Sequence, residues 1–213
     1  MVKALIVTAA VCSFVAGASP LRAQSFEFAG WGVQGGITEG YVDYAGTISW
    51  LYPGWGLGYT ISPFAEFSLA ETVRLQCGLR FDHLRNHSNV ALISSRGWGA
   101  IVLDAVSLPL LAKVTLGRAP AIFFIAGPEF GLVWKAESIV NVYGTESRSD
   151  IADVVDRFNF ALDAGLGIEF DAGGHAFFVQ GLYCHGLASL AKKGQWLLDW
   201  RTREVAVTAG VVF

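Results

Sequence analysis

Between Phe158 and Asp171 the chain alternates strictly. Phe158, Phe160, Leu162, Ala164, Leu166, Ile168 and Phe170 fall on one face, and Asn159, Ala161, Asp163, Gly165, Gly167, Glu169 and Asp171 on the other. A period of two is the signature of a β-strand, whose successive side chains point to opposite faces. A run of about fourteen residues is long for a globular strand. It suits a tilted membrane crossing, which needs roughly nine to eleven residues in the hydrocarbon plus its wet ends. The pattern recurs. Val73, Leu75, Cys77, Leu79 and Phe81 oppose Arg74, Gln76, Gly78, Arg80 and Asp82. Ile122, Phe124, Ala126, Pro128, Phe130, Leu132 and Trp134 oppose Gly127, Glu129, Gly131 and Lys135, while Val205, Val207, Ala209, Val211 and Phe213 oppose Glu204, Thr208 and Gly210. Trp55, Leu57, Tyr59, Ile61, Ala65, Phe67 and Leu69 oppose Gly56, Gly58, Thr60 and Glu66. Bulky residues gather on one face, small and charged ones on the other.

Strands are predicted over 26–36, 54–69, 72–84, 100–116, 120–136, 157–171, 175–187 and 201–213. Tight links around Ala70-Glu71, Gly117-Arg118 and Asp171–Gly174 alternate with long ones, including a polar loop over 137–156. Short turns on one side and long loops on the other are the layout of an outer-membrane barrel. The predicted fold is therefore all-β: a closed antiparallel transmembrane β-barrel of about eight strands in an up-and-down meander. An even strand count puts both termini in the periplasm of a Gram-negative bacterium. Two irregularities remain. Glu27 and Gln34 are out of phase, which a bulge near Gly35-Gly36 would explain, and Asp104 is out of phase with Lys113.

Composition sharpens this picture. Charged residues are only 15%, against about 25% in ordinary domains. Past the N-terminus there is no apolar run long enough for a helical span, so the hydrophobic residues are spread over short segments. A net charge of -3 gives no basic footprint for nucleic acid. Lys3, the apolar run Ala4–Ala16 and small residues at Ala18 or Ala23 read as a signal peptide, residues 1–23, with Ala23 leaving the better polar region before the cut. The barrel domain is then 24–213. Cys77 and Cys184 are expected on different faces and unbridged. Trp50, Trp55, Trp98, Trp134, Trp196 and Trp200 fall near the long-loop ends, and Phe26, Phe67, Phe170, Phe177 and Phe213 near the short turns, as two interface girdles would. Trp31 fits neither.

The run Ser107-Leu-Pro-Leu-Leu-Ala-Lys113 followed by Phe124-Ile-Ala-Gly-Pro-Glu-Phe-Gly131 resembles the centre of the PorT-like outer-membrane β-barrel family. Pro53–Gly58, Asp163–Glu169 and Tyr183–Leu187 resemble other strands of the same family. The resemblance spans nearly the whole mature chain. It implies an eight-stranded barrel, with a link to protein secretion and gliding machinery in the family's founding members and, for this chain, an expected link to secretion or envelope assembly.

An eight-stranded barrel is just wide enough to be filled by its own side chains. The inward set is predicted to be Glu66, Arg74, Arg80, Asp82, Lys113, Glu129, Lys135, Asp163, Glu169 and Glu204, an ion-paired network that plugs the lumen. The alternative for such a network is a small selective pore. Trp55, Trp98, Trp134, Trp200, Phe67 and Phe170 are the interface aromatics, and Phe213 resembles the terminal aromatic read by the barrel-assembly machinery. His83 and His87 have helical metal-ligand spacing but lie on a strand end and a loop, so no metal or cofactor is expected. His87-Ser88-Asn89 lacks the spacer of the lipid A deacylase signature, and adjacent strand residues face apart. The expected role is non-enzymatic. The barrel sits in outer-membrane lipid and binds an envelope or secretion partner through its long loops. Tyr41, Asp43, Tyr44, Tyr52, Tyr143, Arg148, Trp196 and Trp200 are contact or anchor residues there. The alternatives are a lipid A-modifying enzyme and a soluble, lipocalin-like ligand-binding barrel.

Overall fold

A computed structural model describes residues 26–45, 51–90, 97–118, 120–142, 144–192 and 199–213. The signal segment, Trp50, Tyr143 and Trp196 lie outside these residues, as do the side chains of Tyr44, Tyr52, His87 and Ser88. Eleven strands are formed: β1 (Glu27–Ala45), β2 (Leu51–Pro53), β3 (Gly56–Ala70), β4 (Val73–Gly78), β5 (Arg80–Val90), β6 (Gly97–Leu116), β7 (Ala121–Val142), β8 (Thr145–Asp150), β9 (Phe158–Ala172), β10 (His175–Gly186) and β11 (Asp199–Val212).

These strands stand as eight columns in a closed antiparallel ring. β2 and β3 share a column, both pairing with β5. β4 and β5 share the next, broken only at Leu79, whose N–H donates to the Pro63 carbonyl at 3.0 Å. β8 and β9 share another, because both pair with β7, at Glu137–Val142 and Ala121–Leu132 respectively. β1 closes the ring on β11, from Gly32↔Val212 to Ala45↔Asp199. Closure leaves the membrane band without a free sheet edge, which a spanning sheet requires.

The apolar face is outside. Ile37, Leu57, Tyr59, Ile61, Ile122, Leu132, Leu166, Ile168 and Val207 are all at least half exposed, while Glu66, Lys113 and Asp163 are at most 2% exposed. A soluble ligand-binding barrel has the opposite polarity, so this arrangement overturns that alternative.

Three sequence expectations are corrected. The segment 137–156 is not simply a polar loop. Its first half continues β7 and folds back as β8 around Gly144, whose φ of 84° suits glycine. The first strand's irregularity lies between Phe28 and Gly30, not at Gly35-Gly36, and from there Gln34 points inward in phase with Thr38. Trp31 belongs to the short-turn girdle. It stacks on Phe213 with ring centres 4.5 Å apart, beside the Phe26–Phe67 stack at 4.7 Å and the Phe170–Phe177 stack at 5.9 Å.

Candidate functional site in the filled lumen

The lumen is packed in layers. Nearest the short turns, Lys113 on β6 places Nζ 2.9 Å from Glu66 Oε1 on β3 and also against Glu169 on β9. Arg74 on β4 closes the group, with Nη1 2.9 Å from Glu66 Oε2 and 3.8 Å from Glu169 Oε1. Two cations thus meet two carboxylates. Glu66 is 0% and Lys113 1% exposed, so each charge has lost its water and depends on its partners.

Phenylalanines pack against the same ammonium. Lys113 Nζ lies 4.7 Å from the centre of the Phe123 ring and 5.5 Å from that of Phe178. Both rings are buried, and Phe178 meets Phe64 edge-on at 6.0 Å. Each of these phenylalanines faces a glycine across the ladder: Phe64↔Gly32, Phe123↔Gly167 and Phe178↔Gly210. A Cβ on Gly167 would lie 2.3 Å from the Phe123 ring and one on Gly210 2.4 Å from the Phe178 ring, so the glycines are the space the rings occupy. Gln180 donates to Gln34 across the same level at 2.8 Å.

Further along the lumen Arg80 on β5 spreads its guanidinium over three carboxylates. Nε is 3.0 Å from Asp82 Oδ2, Nη2 2.7 Å from Glu129 Oε2 and Nη1 3.2 Å from Asp163 Oδ2. The fork geometry of arginine allows one side chain to hold three acceptors in this way. Glu204 and Cys184 are buried in the same ring. Cys77 and Cys184 are both free, Cys184 inward and Cys77 half-buried on the next column position to inward Gln76. Among the described residues, Glu129, Asp163 and Cys184 each bring a ligand atom within 4.8 Å of the others.

An apolar cluster, here called the cap, lies inside the long-loop end. After β8 the chain dips inward, burying Val155, and a second inward segment buries Leu190 and Ala191. The two segments bridge at Val155↔Ala191, and the Asp156 N–H donates to the Leu190 carbonyl at 2.7 Å. They pack with Leu84, Leu103, Val133, Ala136 and Trp200.

Of the residues expected in the lumen, Glu66, Arg80, Asp82, Lys113, Glu129, Asp163, Glu169 and Glu204 are buried inside and Arg74 is half-buried at its edge. Lys135 is not inside. The β6–β7 register slips between Asp104↔Lys135 and Ala105↔Val133, making Trp134 the extra residue; Lys135 turns outward to Glu137 at 3.0 Å. Trp55, Trp134 and Phe170 are exposed on the exterior, with Phe67 half-buried there. Trp200 is not an interface residue: it is 5% exposed, within the cap. Trp98 is half-buried against Ala100, Val102 and Ile139. The inward phenylalanines and the cap were not anticipated. The glycine facing each phenylalanine was the available signal for the first.

The family described as the outer membrane protein beta-barrel domain matches residues 22–192. The chain belongs to that family. Among solved structures, Neisserial surface protein A aligns with a TM-score of 0.48 at 14% identity, covering 87% of this chain and 99% of that one. OprG from Pseudomonas aeruginosa aligns at 0.44 and 12% identity, covering 88% and 97%. Ail of Yersinia pestis aligns at 0.39 and 12%, covering 86% and 99%. No curated protein matches the chain significantly. As a member of this outer-membrane β-barrel family, the protein crosses the membrane with strands; no helix among the described residues is long and apolar enough to do so.

Proposed function

We propose that this outer-membrane β-barrel protein is a non-conducting, non-enzymatic anchor that presents its long-loop end to an envelope partner. The reach of the β7–β8 hairpin supports this most directly. β7 has 22 residues. At about 3.3 Å per residue it spans roughly 70 Å, while a crossing strand uses only about nine to eleven residues. The excess stands beyond the band and ends in β8, whose residues Thr145–Asp150 are all exposed and polar. Loops and extensions held on a rigid scaffold are where binding concentrates. The paired lumen and its apolar cap support the non-conducting part of the reading. The PorT-like motifs support that narrower affiliation and, with it, a role in secretion or envelope assembly. The same reading puts both termini in the periplasm and makes Phe213 part of the assembly signal.

A photo-crosslinking residue at Ser147, in cells expressing the full chain, tests the anchor role. A discrete adduct is expected from Ser147 and none from an equivalent probe at Leu166 on the exterior band. Equal labelling at both positions, or none at Ser147, would remove the case for a partner. Planar-bilayer recording tests the plug: the expected trace is flat, and steady openings would overturn it.

A further inference from the structure

The ring around Arg80 is short of positive charge. Near the short turns two cations balance two carboxylates, but here one guanidinium faces Asp82, Glu129, Asp163 and Glu204, leaving three negative charges over if all are ionised. All four carboxylates are buried. Excess charge away from water must be neutralised by protons or by a bound cation.

The register gathers donor atoms at one point. Asp163 pairs with Cys184 across β9 and β10, and Cys184 with Glu204 across β10 and β11, so three inward side chains from adjacent columns lie at one level. Glu129 reaches the same point from β7, and one ligand atom each of Glu129, Asp163 and Cys184 falls within 4.8 Å of the others. Arg80 donates to Asp82 and Asp163 through Oδ2 alone. Asp163 Oδ1 and Asp82 Oδ1 are buried with no hydrogen-bond partner. Glu204, 4% exposed, lies in the field of Arg80. Carboxylates that bridge an arginine on one oxygen and a metal on the other are ordinary outer-shell chemistry.

We propose that Glu129, Asp163 and Cys184 bind one divalent cation of the zinc class, with Glu204 completing the set and Arg80 orienting the carboxylates. A thiolate among oxygen ligands selects zinc or cadmium over magnesium and calcium. Binding releases the Cys184 thiol proton to solvent as the metal–sulfur bond forms.

The test uses the full chain refolded in detergent with zinc, with cadmium or with chelator, then desalted. Bound metal is counted by mass spectrometry, and the ultraviolet cadmium–thiolate band is recorded. One metal per chain and a thiolate band are expected. Cys184→Ser should abolish the band and weaken retention at least about tenfold, Asp163→Asn should weaken it likewise, and Cys77→Ser should change neither. Heat-modifiable gel mobility verifies that each variant has folded. Metal retained equally by Cys184→Ser and Asp163→Asn would move the ion to surface histidines and overturn the site. No metal above the chelator level in folded wild-type protein would also overturn it, leaving protons to neutralise the ring.

Discussion

Lys113→Met removes one charge from the lumen and little else. Methionine keeps the unbranched apolar stem and ends where the ammonium began, so Phe123 and Phe178 retain a neighbour. What is lost is the ammonium that sits 2.9 Å from Glu66 and against Glu169. Glu66, at 0% exposure, would keep only Arg74, and Glu169 only the 3.8 Å approach of Arg74 Nη1. Breaking a buried pair from one side costs about 3–5 kcal/mol. The lost cation–π contact costs about 0.5–2 kcal/mol, and a sulfur–aromatic contact returns about 0.3–1.5 kcal/mol. These two nearly cancel, so the expected loss stays at about 3–5 kcal/mol. Adding Glu66→Gln should not add its own full cost, because the orphaned charge is then gone; the pair should couple by about 0.5–3 kcal/mol. The assay is urea unfolding of the barrel in lipid vesicles, followed by tryptophan fluorescence, with the slope compared between variants. A loss below about 1 kcal/mol for Lys113→Met would mean that the cluster does not hold the barrel together.

Three other substitutions probe different layers. Gly167→Val drives a side chain into the Phe123 ring, where a Cβ alone would lie at 2.3 Å; a loss of about 1–3 kcal/mol is expected, partly rescued by Phe123→Leu, and an unrescued loss would place the strain elsewhere. Trp200→Ala empties the centre of the cap, with an expected loss of about 3–5 kcal/mol and faster proteolysis within 187–192 of the folded protein. An unchanged cleavage rate there would show that the tryptophan does not hold the two inward segments. Phe213→Ala removes the stack on Trp31 and should cost about 0.5–1.5 kcal/mol beyond lost area; a double-mutant cycle with Trp31→Ala showing no coupling would discount the stack.

Strand parity made the ring legible, because each crossing strand has lipid on one side and a narrow interior on the other. The buried members of the network could be named for the same reason: Glu66, Lys113 and Glu169 fall on the face opposite Phe67, Val114 and Phe170. Where parity shifts or loses its cause, sequence and structure part. The extra residue at Trp134 expels Lys135, and nothing local in Val133-Trp134-Lys135 marks it. Both faces of β8 are exposed and polar, so Thr145–Asp150 carries no apolar alternation and its ladder to β7 has no sequence signature. Trp200 is the instructive case. Its parity on β11, shared with Glu204 and Thr208, already pointed inward; its size argued for the interface, and size was the weaker criterion. The phenylalanines make the same point from the other side. A small barrel admits a large inward residue wherever its cross-strand partner is glycine, as at Phe64↔Gly32, Phe123↔Gly167 and Phe178↔Gly210. Volume in the lumen is therefore conserved by pairs and not by positions. Each inward phenylalanine together with the glycine it faces therefore marks the aromatic layer in the sequence, while the cap, built by segments with no period at all, leaves no such mark.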